Sequence, residues 1–145
     1  MIRPYHPSDT DAVLNVWLDA SIRAHHFIPE AFWREQLGAM RDMYLPLAET
    51  RVTEEHGRVL GFVSVHEARL AALFVSPQAQ GRGLGRQLLD EAKRMRPTLE
   101  LSVYSANARA IAFYEAAGFS TIAESLDPVT GQPELTMRWQ LTLGE

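Results

Sequence analysis

The chain has 145 residues, 46% hydrophobic and 22% charged, the proportions of a domain that buries its own core without staples. Fourteen Lys and Arg against eighteen Asp and Glu leave a formal charge of −4, which argues against a general polybasic surface for nucleic acid or anionic lipid. There is no cysteine, so disulfides, cysteine-ligated zinc and every cysteine nucleophile are excluded.

No stretch approaches the roughly 20 consecutive apolar residues of a membrane helix, and Pro4, Pro7 and Asp9 fall where a signal peptide would be apolar. The expectation is one cytoplasmic domain over residues 1–145, monomer or homodimer, with no membrane and no nucleic-acid partner. Met1–Tyr5 reads as an edge strand ended by Pro7, and Ser8 or Asp9 offers an N-cap. Val13, Leu14, Val16, Trp17 and Leu18 follow at the spacing of an amphipathic helix. Pro29 opens a second helix through Phe32, Trp33, Leu37 and Met40.

From Arg51 the texture turns to strands. Residues 51–55 and 58–67 flank His56-Gly57, a hairpin turn. Leu70–Val75 is almost continuously apolar, as in a strand covered on both faces. A helix begins after Gly83 and stops before Pro97; residues 99–103 form a strand. Asn107–Ala117 is a helix with Gly118 as its stop. Two strands follow, residues 120–126 and 134–141, joined by a turn-rich segment from Asp127. The order predicts an α/β fold with a mixed sheet.

The chemistry concentrates in Ser76–Arg86, where a strand runs into a loop with Gly81, Gly83 and Gly85 that opens a helix. Such a loop lets successive backbone N–H groups face an anion, and the helix N-terminus adds its own. Five basic and two acidic residues between Gly81 and Arg96 make this a positive island in an acidic chain. A phosphate site is the natural reading; a loop that only makes a tight turn is the plain alternative. No Gly-Lys-Ser/Thr ends the loop, so it is not a Walker A motif. The dinucleotide fingerprint needs G-x-G-x-x-G directly after the strand, with an acid such as Glu100 for the ribose, and the spacing here is G-x-G-x-G.

Gln80-Gly81-Arg82-Gly83-Leu84-Gly85 resembles the Q/R-x-x-G-x-G/A signature of the GNAT superfamily of N-acetyltransferases. The strand Leu70–Val75 with Pro77, Asn107 after the next strand, and Ala110-Ile111-Ala112-Phe113-Tyr114 through Gly118-Phe119 match the same family in order. The pattern is most similar to small bacterial members that acetylate protein lysines or small amines. The resemblance implies a mostly antiparallel sheet of about seven strands with about four helices, and a splayed strand pair that admits acetyl-CoA. It assigns the pyrophosphate to Gln80, Gly81, Arg82, Gly83, Leu84, Gly85 and Arg86, and the pantetheine arm to the strand edge Leu73, Phe74 and Val75. Asn107, Ala110 and Tyr114 would face the opening, with Tyr114 as general acid for the departing thiolate. A backbone N–H from Leu73–Val75 would polarise the acetyl carbonyl.

Where histone-type relatives carry a glutamate this chain has Arg69, so that role is not carried over. His66 and Glu67 lie just upstream, and Glu67 is the candidate base through water, against the plainer reading of a solvated strand end. Acceptor-side candidates are His25, His26, Phe27, Trp33 and Tyr44, with Glu30, Glu35, Asp42 and the Asp127–Pro133 loop nearby. For the aromatic three, helical packing is the plain alternative. Adjacent His25-His26 lack the i, i+4 spacing of a helical metal pair and read as a surface turn, so no metal is expected. No G-x-S-x-G elbow supports a hydrolase. The expected activity is direct acetyl transfer from acetyl-CoA to a primary amine in a ternary complex; the alternative is a non-catalytic acetyl-CoA-binding or sensing module.

Overall fold

The computed structural model describes residues 1–142 and begins with a short edge strand, β1 (Ile2–Pro4). A 3-10 turn over Pro7–Asp9 leads into α1 (Thr10–Ala24). Asp9 does not cap α1 through its side chain. Its carboxylate instead accepts from the His6 N–H at 2.9 Å and from two Arg3 nitrogens at 2.8 and 2.9 Å. The predicted cap is therefore a half-buried ion pair that ties β1 to the start of α1.

α2 (Glu30–Glu35) follows Pro29 directly but stops at Gln36, short of the expected Met40. Separate turns continue at Leu37–Ala39, Met40–Tyr44, which is π-helical, and Leu45–Leu47. Gly38 is a weak helix former, and Pro46 lacks the N–H that regular pairing requires. β2 (Glu49–Glu55) and β3 (Arg58–His66) form the predicted hairpin. Its two turn residues, His56 and Gly57, have φ of 52° and 77°, the left-handed pair whose twist matches the strands.

β4 (Arg69–Val75), α3 (Leu84–Met95), β5 (Thr98–Tyr104), α4 (Ala108–Ala116), β6 (Ser120–Leu126) and β7 (Pro133–Gln140) complete the order expected. The seven strands lie in the order β1-β2-β3-β4-β5-β7-β6, antiparallel everywhere except between β4 and β5. Each face of the sheet has its own core. On one, Leu88, Leu89 and Ala92 of α3 pack on Val63, Val65, Leu99 and Met137. On the other, Val13, Trp17 and Trp33 of α1 and α2 pack on Val52 and Phe62. No helix among the described residues is long and apolar enough to cross a membrane.

One pairing decides where the site lies. β4 and β5 are in register only at Arg69 and Glu100, where the Glu100 N–H also donates to the Ala68 carbonyl at 2.9 Å. Beyond that point the strands part. Ala71 is an extra residue on β4, since Leu70 faces Val65 and Ala72 faces Ser64, and such a bulge bends its strand. The expectation that β4 is covered on both faces is thus corrected: Leu70 is buried, Ala71 is exposed, and Ala72–Val75 are half-buried beside the gap.

Candidate active site

The parting of β4 and β5 leaves a cleft of about 930 Å³. One wall is β4 with Leu73, Phe74 and Val75; the other is β5 with Ser102, Val103 and Tyr104. Past Arg69 the edge of β4 that faces β5 has no strand partner, which leaves backbone groups there for an extended ligand, apart from the Val75 carbonyl, which Gln80 holds.

The glycine loop closes one end. After Val75 a 3-10 turn at Pro77–Ala79 reaches Gln80, whose side-chain amide donates back to the Val75 carbonyl at 3.0 Å. Gln80 is thus a brace for the loop as well as a cleft residue. Gly83 caps α3 with φ of 81°, a conformation that disfavours any side chain. Gly81, Gly83, Gly85 and Arg86 line the cleft, and Leu84, which lines it too, is buried and anchors the loop in the core. The first N–H groups of α3 have no intrahelical partner there and carry the positive end of its dipole. Arg82 departs from the rest: its guanidinium turns away to Glu55 on β2. A polyanion followed by an extended arm fits this donor set.

Across the gap Asn107 caps α4, its side-chain oxygen accepting the Ala110 N–H at 3.2 Å, and both residues line the cleft. Tyr114 lines it one turn further along, its ring edge-on to Phe113 and Phe119 at 5.2 and 5.5 Å. Burial pushes the Tyr114 phenol above its ordinary pKa, with no neighbouring charge contributing. It holds its proton throughout the neutral range.

At the other end, where α1 finishes, His25 and His26 reach the cleft. The surface-turn reading holds for His26 but not for His25, which is only 8% exposed. His25 stacks on Trp33 at 5.0 Å and meets Phe27 and Tyr104 edge-on at 5.8 and 5.2 Å. This apolar surround pushes its imidazole down to about 4, so the ring is neutral. Trp33 is core behind His25, and Phe27 supports the Tyr104 ring at 5.6 Å; neither lines the cleft. Tyr44 is exposed in the π-helical turn and is not brought to the cleft either.

Glu67 is also left out. It sits in the β3–β4 turn with φ of 54°, its carbonyl accepting from Arg96 Nε at 2.7 Å. That is the closed end, where β4 and β5 still pair, and six residues separate it from Leu73, roughly 15–20 Å of strand. His66 is turned to the Leu47 carbonyl at 2.9 Å. The sequence reading missed Arg23, Ser102 and Tyr104, all of which line the cleft. Alternation along β5 placed Ser102 and Tyr104 opposite to the core residues Leu101 and Val103, and that signal was available. Among the described residues, no three His, Cys, Asp or Glu side chains gather as a metal site.

A parted parallel strand pair, a loop of unpaired N–H groups at one end and a phenol in the gap suit an acyltransferase that uses coenzyme A. Comparison with known proteins narrows the class. Residues 46–121 match the family described as acetyltransferase (GNAT) domain. The peptidyl-lysine N-acetyltransferase YiaC of Escherichia coli strain K12 is 41% identical over 140 residues, covering 96% of each chain. The solution structure of apo-form YjaB from Escherichia coli superposes with a TM-score of 0.84 at 26% identity, over 98% of each chain. The PaiA N-acetyltransferase of Thermoplasma acidophilum, solved with coenzyme A, shares the fold with a TM-score of 0.80 at 16% identity, over 97% of this chain and 98% of that one. The chain belongs to the GNAT acetyltransferase family and is an acetyl-CoA-dependent N-acetyltransferase.

Proposed function

We propose that the acceptor is a lysine side chain of a protein, acetylated in a ternary complex with acetyl-CoA. The observation that carries direct transfer is the cleft itself, with the anion-binding loop at one end and His25, His26 and Tyr104 at the other. Donor and acceptor can meet between β4 and β5 without an enzyme-bound acyl group, and the chain has no cysteine to form one. Lysine as the acceptor is supported by the likeness to YiaC, a peptidyl-lysine N-acetyltransferase.

In this reading the N–H groups of Gly81–Arg86 hold the pyrophosphate, and the free edge of β4 at Leu73–Val75 pairs with the pantetheine arm. A β4 backbone N–H in that stretch stabilises the oxyanion as the amine adds to the thioester carbonyl. Tyr114 then donates its proton to the departing sulfur. The burial that raises the phenol also raises the basicity of a thiolate in the same gap, so the two stay matched. The domain works alone or as a homodimer in the cytoplasm.

The test is acetylation of lysine peptides by wild type and Tyr114→Phe, read by mass spectrometry, with acetyl-CoA binding measured by calorimetry. The expected result is transfer by wild type and a kcat about 10²–10⁴-fold lower in the variant, the usual worth of a general acid, with acetyl-CoA affinity unchanged. Tight acetyl-CoA binding with no transfer to any amine would instead make the domain a binding module.

A further inference from the structure

The face of the sheet opposite α3 and α4 carries a polar group that the mechanism so far does not use; Ser102 and Tyr104 bring it to the cleft wall, and Glu134 stands one strand behind them. Tyr104 and Glu134 stand directly opposite each other in the antiparallel β5–β7 register, as do Ser102 and Thr136, so all four side chains share that face. Arg69 joins them from β4, donating to the Ser102 hydroxyl at 2.8 Å. Tyr104 links this face to the cleft: it lines the cleft, meets His25 edge-on, and donates its hydroxyl to Asp127 Oδ2 at 2.6 Å.

Asp127 is engaged on both oxygens, since Oδ1 accepts the Val129 N–H at 2.8 Å. Glu134 is not: among the described residues no hydrogen bond is made to its carboxylate. His25 packs against Tyr104 at this end of the cleft and is only 8% exposed.

We infer that Glu134 takes the proton from the acceptor ammonium before the amine attacks. The assignment rests on the amine-acceptor reading above. An N–H bond of the ammonium breaks, its electron pair stays on nitrogen, and the proton passes to a Glu134 oxygen. The C–N bond then forms and the C–S bond breaks. The second proton lost by nitrogen balances the one Tyr114 gives to the sulfur.

The surroundings suit a base. Burial raises the Glu134 carboxyl from its ordinary value, the Asp127 carboxylate adds to the rise, and the Arg69 guanidinium opposes it. A more basic carboxylate is the better proton acceptor at neutral pH. The charged and titratable groups facing it are Asp127 from the β6–β7 loop, Tyr104 from β5 and Arg69 from β4. β6 sets only the neutral Ser125 opposite it.

The experiment compares wild type with Glu134→Gln on a lysine peptide from pH 6 to 10. At pH 7 the variant should lose about 10²–10³-fold in kcat/KM, with acetyl-CoA affinity within twofold by calorimetry. Its rate should climb about tenfold per pH unit toward the amine pKa of about 10.4, converging on wild type as free amine becomes available. Glu124→Gln, whose register partner Leu135 places it on the other face, should match wild type throughout. Glu134→Asp, which keeps a carboxylate, should retain part of the activity and answers for a glutamine variant that fails to fold. An unchanged rate at pH 7, or a loss as deep at pH 10 as at pH 7, overturns the assignment. If wild type transfers to no amine, the functional reading falls and this one with it. If wild type transfers and Glu134→Gln equals it, only the role of Glu134 falls.

Discussion

Replacing His25 with phenylalanine keeps an aromatic ring on Trp33 and removes one titration. In the folded chain the His25 imidazole is buried among Trp33, Phe27 and Tyr104 and is pushed down from 6.5 to about 4. Between those two values the unfolded chain binds a proton that the folded chain refuses. Stability is therefore fully present above pH 6.5, falls as pH drops toward 4, and levels off below. The interval of about 2.5 pH at about 1.36 kcal/mol per pH unit comes to about 3 kcal/mol. Urea unfolding at pH 7.5, 6.5, 5.5 and 4.5 reads it directly. Between the first and last, wild type should lose about 2.5 kcal/mol more than His25→Phe, because the carboxylate titrations are common to both. Parallel profiles would refute the buried, neutral histidine and with it the description of that end of the cleft.

Gly83→Ala places a side chain at φ of 81° with no neighbour within 4 Å of the new carbon, so the cost is backbone strain, about 1–2 kcal/mol. It should lower the melting temperature and raise the KM for acetyl-CoA while leaving the KM for the peptide unchanged. Asp9→Asn breaks the pair with Arg3, which holds the Asp9 carboxyl at about 2 against an ordinary 3.8. That pair's stability is present above 3.8 and lost as pH falls toward 2. Denaturant unfolding should show the variant about 2 kcal/mol weaker at pH 7 and level with wild type near pH 2.

Much of the site was legible because its signals are local. A glycine in a left-handed cap, a glutamine five residues past the end of β4 and an asparagine before α4 act through bonds that span a few residues. Gln80 to Val75, Gly83 at the α3 cap and Asn107 to Ala110 are all contacts of that kind. What escaped the reading depends on partners far along the chain. Arg82 keeps its backbone place in the loop, but its guanidinium is held by Glu55, 27 residues away. His25 looked like a surface residue, because its concealment depends on Tyr104 as well as on its near neighbour Trp33. Glu67 was plausible as a base only while the direction in which β4 and β5 part was unknown.

The sequence by itself determined the order of strands and helices and the glycine loop that opens α3, since each follows from hydrophobic period, turn chemistry or backbone freedom within a short window. The phenol of Tyr114 was implied by the resemblance of its motif to the family. Only the tertiary structure decided which end of the β4–β5 pair opens, that Ala71 is the residue left out of the register, and that β7 sets Glu134 across from Tyr104. Register between distant strands is fixed by the packing of both sheet faces at once. No local window of the chain contains that information.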